Sequence, residues 1–248
     1  VHDTKPQRRN VGDQKHAEVA VGQRRHVGKV TQRLVAPGRV RMVIGMPLQV
    51  QSGPVGEQVI AVPGMVRLRP LVAAAGQALA QLGDEVDVGP WAIIGPQCII
   101  GNGTQIAARA TLERNVRIGE RVQIGIGAIL GGDPQDLKYA GQETYLKIGD
   151  RNRIREFTTL NRGTEEGGGI TKIGHDNLFM AYSHVAHDCI VNDHVILANG
   201  ATLAGHIEVE SNAILGGLSA VHQFCRIGCH TMISGGAMVA QDVPPYTI

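Results

Sequence analysis

The sequence predicts an all-β fold, a parallel β-helix of hexapeptide repeats, on three observations. An aliphatic or aromatic residue recurs at every sixth position, twelve times without a miss: Ile173, Phe179, Val185, Val191, Leu197, Leu203, Val209, Leu215, Val221, Ile227, Ile233 and Val239. Four places after most of these stands a small or β-branched residue, among them Ser183, Cys189, Val195, Ala201 and Ala213. Glycine follows the aliphatic residue repeatedly in the first part of the repeat, at Gly83, Gly89, Gly95, Gly101, Gly119 and Gly125, which suits corners with unusual backbone angles. A period of six fits neither the 3.6-residue turn of a helix nor the two-residue alternation of a strand. It fits three short strands closing one triangular coil of about 18 residues, with coils stacked about 4.8 Å apart.

Taken in chain order, residues 1–75 show neither the six-residue beat nor a sustained helical stripe. They carry 12 Lys and Arg against 4 Asp and Glu, whereas residues 76–248 carry 12 against 18. The basic segment has no Phe, Tyr or Trp to stack on bases and its charge is scattered. It is therefore expected to be a solvated extension without a packed core, not a nucleic-acid module. Residues 76–248 form the repeat domain, with the beat clear at Leu82, Val88, Ile94, Ile100, Ile106, Leu112, Ile118 and Ile124. Leu130 and Ile148 stand a whole coil apart in the numbering, so register is expected to survive across Gly131–Lys147, a loop thrown out from the coil. A second break at Glu165–Gly169 shifts the phase by one residue. Loops on a rigid scaffold commonly carry binding groups.

Composition agrees with a narrow solenoid: aromatics are 3% of the 248 residues and 33 are glycine. No stretch is apolar and long enough to span a membrane, and no signal peptide is visible, so a soluble cytoplasmic protein is expected. Cys98, Cys189 and Cys225 fall in the small inward slot of a hexad and Cys229 does not. All four read as reduced, structural thiols instead of a disulfide framework.

Stacking the numbers by the repeat of the coil places His187, Gly205 and Gln223 in one column. His184, His206 and His222 lie within three residues of that column, and Asp188 lies beneath His206. Three readings of this histidine cluster stay open. Zinc would want three histidines and an open position, but the His-x4-His pair of the γ-class carbonic anhydrases is absent. Surface histidines on a coil are the plain alternative. Acid–base catalysis is the third, with a neutral imidazole taking a proton from a hydroxyl.

Several longer strings are more specific than the hexads. They are Gln135-Asp136-Leu137-Lys138-Tyr139-Ala140-Gly141, Ile148-Gly149-Asp150-Arg151-Asn152-Arg153, Ala186-His187-Asp188-Cys189, Ala201-Thr202-Leu203-Ala204-Gly205-His206, His222-Gln223-Phe224-Cys225 and Ala240-Gln241-Asp242-Val243-Pro244-Pro245-Tyr246. From about Leu79 onward the chain resembles the acyl-carrier-protein–UDP-N-acetylglucosamine O-acyltransferase family of lipid A biosynthesis. The resemblance implies a left-handed coil, a homotrimer with active sites between subunits, and no cofactor or metal. It implies transfer of a 3-hydroxyacyl group from acyl carrier protein to the 3-hydroxyl of UDP-N-acetylglucosamine. By position, His187 matches the general base, Asp188 its acidic neighbour and the Gly205 N–H the oxyanion donor. Gln135, Asp136, Lys138, His184, His206, His222 and Gln223 match substrate-contacting positions, and Gly235 matches the position that gauges acyl length. Asn161 stands where the family often has histidine. The family continues into a helical C-terminal domain that this sequence, ending at Ile248, does not contain. Two rival expectations follow: a related hexapeptide acyltransferase of different substrate, and an inactive, trimerising β-helical fragment.

Overall fold

The computed structural model describes residues 80–248, together with the backbone of Gln49–Ser52 and Gln58–Ala61, two strands that pair antiparallel. The expectation of a coreless segment over residues 1–75 otherwise lies outside the described residues. Residues 80–248 fold as the left-handed parallel β-helix that the six-residue beat predicts, with three parallel sheets of eight strands each. The first face carries Val88, Ile106, Ile124, Ile154, Phe179, Leu197, Leu215 and Ile233. The second carries Ile94, Leu112, Leu130, Leu160, Val185, Leu203, Val221 and Val239. The third carries Leu82, Ile100, Ile118, Ile148, Ile173, Val191, Val209 and Ile227.

Most strands are only two residues long, so one side chain points inward and its neighbour outward. The six-beat residue is the inward one, and each buried Leu or Ile contributes about 1.5–3 kcal/mol relative to exposure. The small residue four places on closes the corner of the triangle: Cys98, Cys189, Val195, Ala201 and Ala213 are all 0% exposed. Burial pushes the Cys98 thiol up to about 11 and the Cys189 thiol up to about 12. These are inert packing groups, as expected, and all four cysteines are free.

The corners explain the glycines differently from the sequence reading. Eighteen described non-glycine residues hold φ between 54° and 67°, including Asp188, His206 and Phe224. This left-handed conformation costs about 1–2 kcal/mol per residue. It is offset by amides that donate into the preceding coil, such as His206 N–H to the His187 carbonyl at 3.1 Å and Phe224 N–H to the Gly205 carbonyl at 3.2 Å. Gly83, Gly89, Gly95, Gly101, Gly119 and Gly125 are not among the residues of positive φ. They are glycines because the next coil is too close: a Cβ on Gly95 would lie 1.9 Å from the Glu113 carbonyl oxygen, and one on Gly125 2.6 Å from the Arg155 carbonyl carbon.

The pairing also corrects the reading of the first loop. Leu130 and Ile148 do not stack on each other. Leu130 pairs with Leu160 on the second face and Ile148 with Ile118 on the third. The extra chain is two hexads long, so it preserves the phase of the hexad while breaking that of the coil. The second break behaves as expected: Ile148 pairs with Ile173, one position off a whole number of hexads. Both insertions leave the prism at one corner, between the second and third faces, on successive coils.

Candidate active site

The same corner carries His187 and Asp188 between Val185 and Val191, then Gly205 and His206 one coil later, then Gln223 and Phe224. The repeat thus stacks in space what the sequence keeps a full coil apart. Asp188 is the centre of the arrangement, with its side chain 1% exposed. Its Oδ1 accepts the Thr164 N–H at 2.8 Å and its Oδ2 the Thr164 hydroxyl at 2.6 Å. Oδ2 also meets Nδ1 of His187 at 2.8 Å, and the Asp188 N–H donates to Thr171 Oγ1 at 2.8 Å. The second insertion folds down onto this carboxylate. A Cβ on Gly163 would lie 2.7 Å from Oδ1 and one on Gly167 2.1 Å from Cγ, so both positions require glycine.

The His187 ring lies against Gly205. A Cβ on Gly205 would sit 2.6 Å from Cε1 and 2.8 Å from Nε2 of the imidazole. Gly205 is buried, and its N–H finds no acceptor among the described residues. At the corner between the third and first faces the equivalent N–H groups are capped by side chains of a neighbouring coil: Glu120 by Asp150, His175 by Asp193, Asp193 by Ser211 and Cys229 by Glu210. Gly205 therefore offers a buried donor beside an imidazole, an arrangement suited to an incoming oxyanion.

His206 closes one side. Its ring meets His187 edge-on at 5.1 Å and stacks on Phe224 at 4.7 Å, and its Nε2 is 3.7 Å from Asp188 Oδ2. His184 stands on the second face with Nδ1 2.7 Å from Thr159 Oγ1. Burial, then the charge of His187, hold its pKa below the ordinary histidine value. His222 and Gln223 are exposed beyond Gly205, with His222 Nδ1 3.2 Å from the Gln223 carbonyl. Gln135, Asp136 and Lys138 ride on the first insertion, where Asp136 Oδ1 accepts the Lys138 N–H at 2.9 Å. The Lys138 ammonium bridges to Glu166 on the second insertion at 3.1 Å. Gly235 is not brought to this corner. It lies between the first and second faces, almost three coils beyond His187 and exposed, and a Cβ placed on it would lie 3.3 Å from the Gly217 carbonyl oxygen.

Motif reading missed the residues that shape the site from below. Arg162 is 1% exposed and donates to the Gly131 carbonyl, to the Asp133 carboxylate and to the Tyr139 hydroxyl at 3.1 Å. Asn161 donates to the Asp133 carbonyl at 2.6 Å. Together they tie the first insertion to the coil. Thr164, Gly163 and Gly167 belong to the same group, and the only signal for them was an Arg-Gly-Thr string ahead of a glycine run.

His187, Asp188 and His206 offer three ligand atoms within 4.8 Å of one another. The donor set does not suit a metal ion, because both Asp188 oxygens are already engaged by Thr164 and His187. A groove of about 680 Å³ on the third face, lined by Arg117, Lys147, Lys172 and His175, contains none of these three residues.

Residues 170–205 match the family described as bacterial transferase hexapeptide (six repeats). The acyl-[acyl-carrier-protein]–UDP-N-acetylglucosamine O-acyltransferase of Nautilia profundicola is 56% identical over 131 residues, covering 53% of this chain and 51% of that protein. The enzyme of the same name from Herminiimonas arsenicoxydans is 50% identical over 167 residues, covering 67% and 64%. The crystal structure of UDP-N-acetylglucosamine O-acyltransferase from Moraxella catarrhalis superposes with a TM-score of 0.67 at 43% identity, covering 69% of this chain and 68% of that one. The chain belongs to the UDP-N-acetylglucosamine O-acyltransferase family. It spans between about half and just under two thirds of the length of the two curated relatives, 51% and 64%. No helix among its described residues is long and apolar enough to cross a membrane. Within this O-acyltransferase family frame, the corner between the second and third faces is the candidate active site.

Proposed function

We propose that this chain transfers a 3-hydroxyacyl group from acyl carrier protein to the 3-hydroxyl of UDP-N-acetylglucosamine, in the cytoplasm, as the first step of lipid A biosynthesis. The observation that carries the reading is the His187 imidazole, held through Nδ1 by Asp188 and laid against Gly205, whose buried N–H has no acceptor among the described residues. Nε2 of His187 takes the proton from the sugar hydroxyl as its oxygen attacks the thioester carbonyl. The Gly205 N–H donates to the carbonyl oxygen as negative charge develops on it, a donor worth about 2.7–4 kcal/mol in comparable chemistry. Collapse breaks the carbon–sulfur bond, and the imidazolium returns its proton to the departing carrier thiolate. No cofactor takes part.

Lys138, freed from Glu166, meets the diphosphate, while Gln135, Asp136, His184, His206, His222 and Gln223 line the sugar and donor path. Three chains assemble as a homotrimer with the corners described above in the clefts between subunits. Gly235 gauges the acyl chain there. Its distance from His187 within one chain, a full face and almost three coils, favours contact with the acyl group bound at a neighbouring subunit's corner. The reading involves no nucleic acid, and no helix among the described residues is long and apolar enough to cross a membrane.

Purified chain incubated with UDP-N-acetylglucosamine and 3-hydroxyacyl carrier protein is expected to yield the 3-O-acylated sugar nucleotide by mass spectrometry. Product with a different acceptor sugar, or none at all with this pair, rejects the reading.

A further inference from the structure

The second insertion does more than cover Asp188. Its hydrogen bonds run in one direction. The Gly167 N–H donates to Thr164 Oγ1 at 3.1 Å. That leaves the Thr164 hydroxyl proton for Asp188 Oδ2, at 2.6 Å. The Thr164 N–H donates to Oδ1 at 2.8 Å. A carboxylate has only acceptors, so the 2.8 Å contact between Oδ2 and His187 Nδ1 requires the proton to sit on Nδ1. Nε2 is then the bare nitrogen, and it is one of the two His187 atoms closest to the Gly205 Cβ position. His206 does not compete for Oδ2, since its Nε2 stands 3.7 Å away, beyond hydrogen-bond distance.

We propose that Thr164 is a positioning residue: its two bonds to Asp188 lock the carboxylate so that it selects the Nδ1–H tautomer of His187 and aims Nε2 at the reacting hydroxyl. The insertion is built for this task. Both flanking glycines, Gly163 and Gly167, leave no room for a Cβ against Asp188, so the loop is pressed to the carboxylate and not merely near it. The side chain of Asp188 is 1% exposed, so water does not substitute for a lost Thr164 hydroxyl without opening the loop. The threonine acts through Asp188 and His187 and touches no reacting atom.

The inference rests on His187 being the base, and the test separates the two claims. Nitrogen-15 NMR of the full chain with labelled histidine, with His187→Gln to assign the resonance, reads the tautomer in the resting protein without any turnover. The expected result is Nδ1 protonated and Nε2 bare. Thr164→Val should populate the other tautomer, and its kcat for acyl transfer should fall at least tenfold while the KM for the sugar nucleotide stays within twofold. Thr164→Ser, which keeps both hydrogen-bond donors, should restore the tautomer and return kcat to within threefold. A parent His187 protonated on Nε2 overturns the proposal whether or not the chain turns over, and whether or not Thr164→Val folds. A Thr164→Val chain with the parent's tautomer and kcat within threefold overturns it as well. A parent with the expected tautomer but no transfer of acyl groups contradicts the functional reading instead.

Discussion

At the scale of single residues, two side-chain-sized facts set what the corner tolerates. Gly205 has the imidazole of His187 where its own Cβ would be, 2.6 Å from Cε1. Gly205→Ala is therefore expected to push the ring off its carboxylate and cut kcat by about 100-fold or more, as removal of a positioned base does, while the far-ultraviolet spectrum stays that of the parent. Steady-state kinetics beside circular dichroism checks this; an alanine variant with parental kcat shows that the ring has room to spare. His184 supplies a pH signature. Burial first, and then the charge of His187, lower its folded pKa below 6.5. The unfolded chain then binds more protons in the window between 6.5 and that lowered value. Stability is full above the window and is lost as pH falls through it, by about 1.4 kcal/mol for each pH unit that the window spans. His184→Gln should lose less stability than the parent between pH 7.5 and 5.5 in urea melts. Equal losses contradict the assignment.

At the scale of elements, the two insertions form one device, fastened from beneath by Arg162 and across the top by Lys138 and Glu166. Arg162→Met removes the buried guanidinium and strands the buried Gly131 carbonyl, while the Asp133 carboxylate, 64% exposed, turns to water. Leaving that buried carbonyl without its donor costs about 1–3 kcal/mol. Hydrogen exchange should accelerate across residues 131–144 and leave the coil amides above Val191 unchanged; uniform protection of the loop contradicts the anchoring role. This device was the least legible part of the sequence. The first insertion is two hexads long, so Leu130 and Ile148 keep the beat although they sit on different faces, and only the pairing of Leu130 with Leu160 reveals the extra chain. Thr164 and Arg162 were hidden for a different reason: Thr164 acts through a fold-back onto Asp188 and Arg162 through one onto Asp133, and no period encodes a fold-back. The His187, Gly205 and Gln223 column was readable because all three sit in uninterrupted coils.

At the scale of the molecule, a core built of similar layers has no centre, and each layer buries its own small residue at the corner. The prediction from this is chemical. Cys98 and Cys189, raised to about 11 and about 12 by burial, should resist a thiol reagent at pH 8 until the helix unfolds, while partly exposed Cys229 reacts in the native protein. Reaction of Cys98 and Cys189 at the rate of Cys229 would mean that the stack opens readily. The layered construction also brings the His187 imidazole, the Asp188 carboxylate and the Gly205 N–H to one corner, from hexads a full coil apart. What this corner is held to do is transfer an acyl group through His187. The most direct test is the single-turnover rate with UDP-N-acetylglucosamine and 3-hydroxyacyl carrier protein, parent against His187→Ala. The rate should fall by about 100-fold or more, with assembly unchanged by light scattering. A variant whose rate stays within a few-fold of the parent contradicts the role of His187, and the histidine cluster would then be a binding surface.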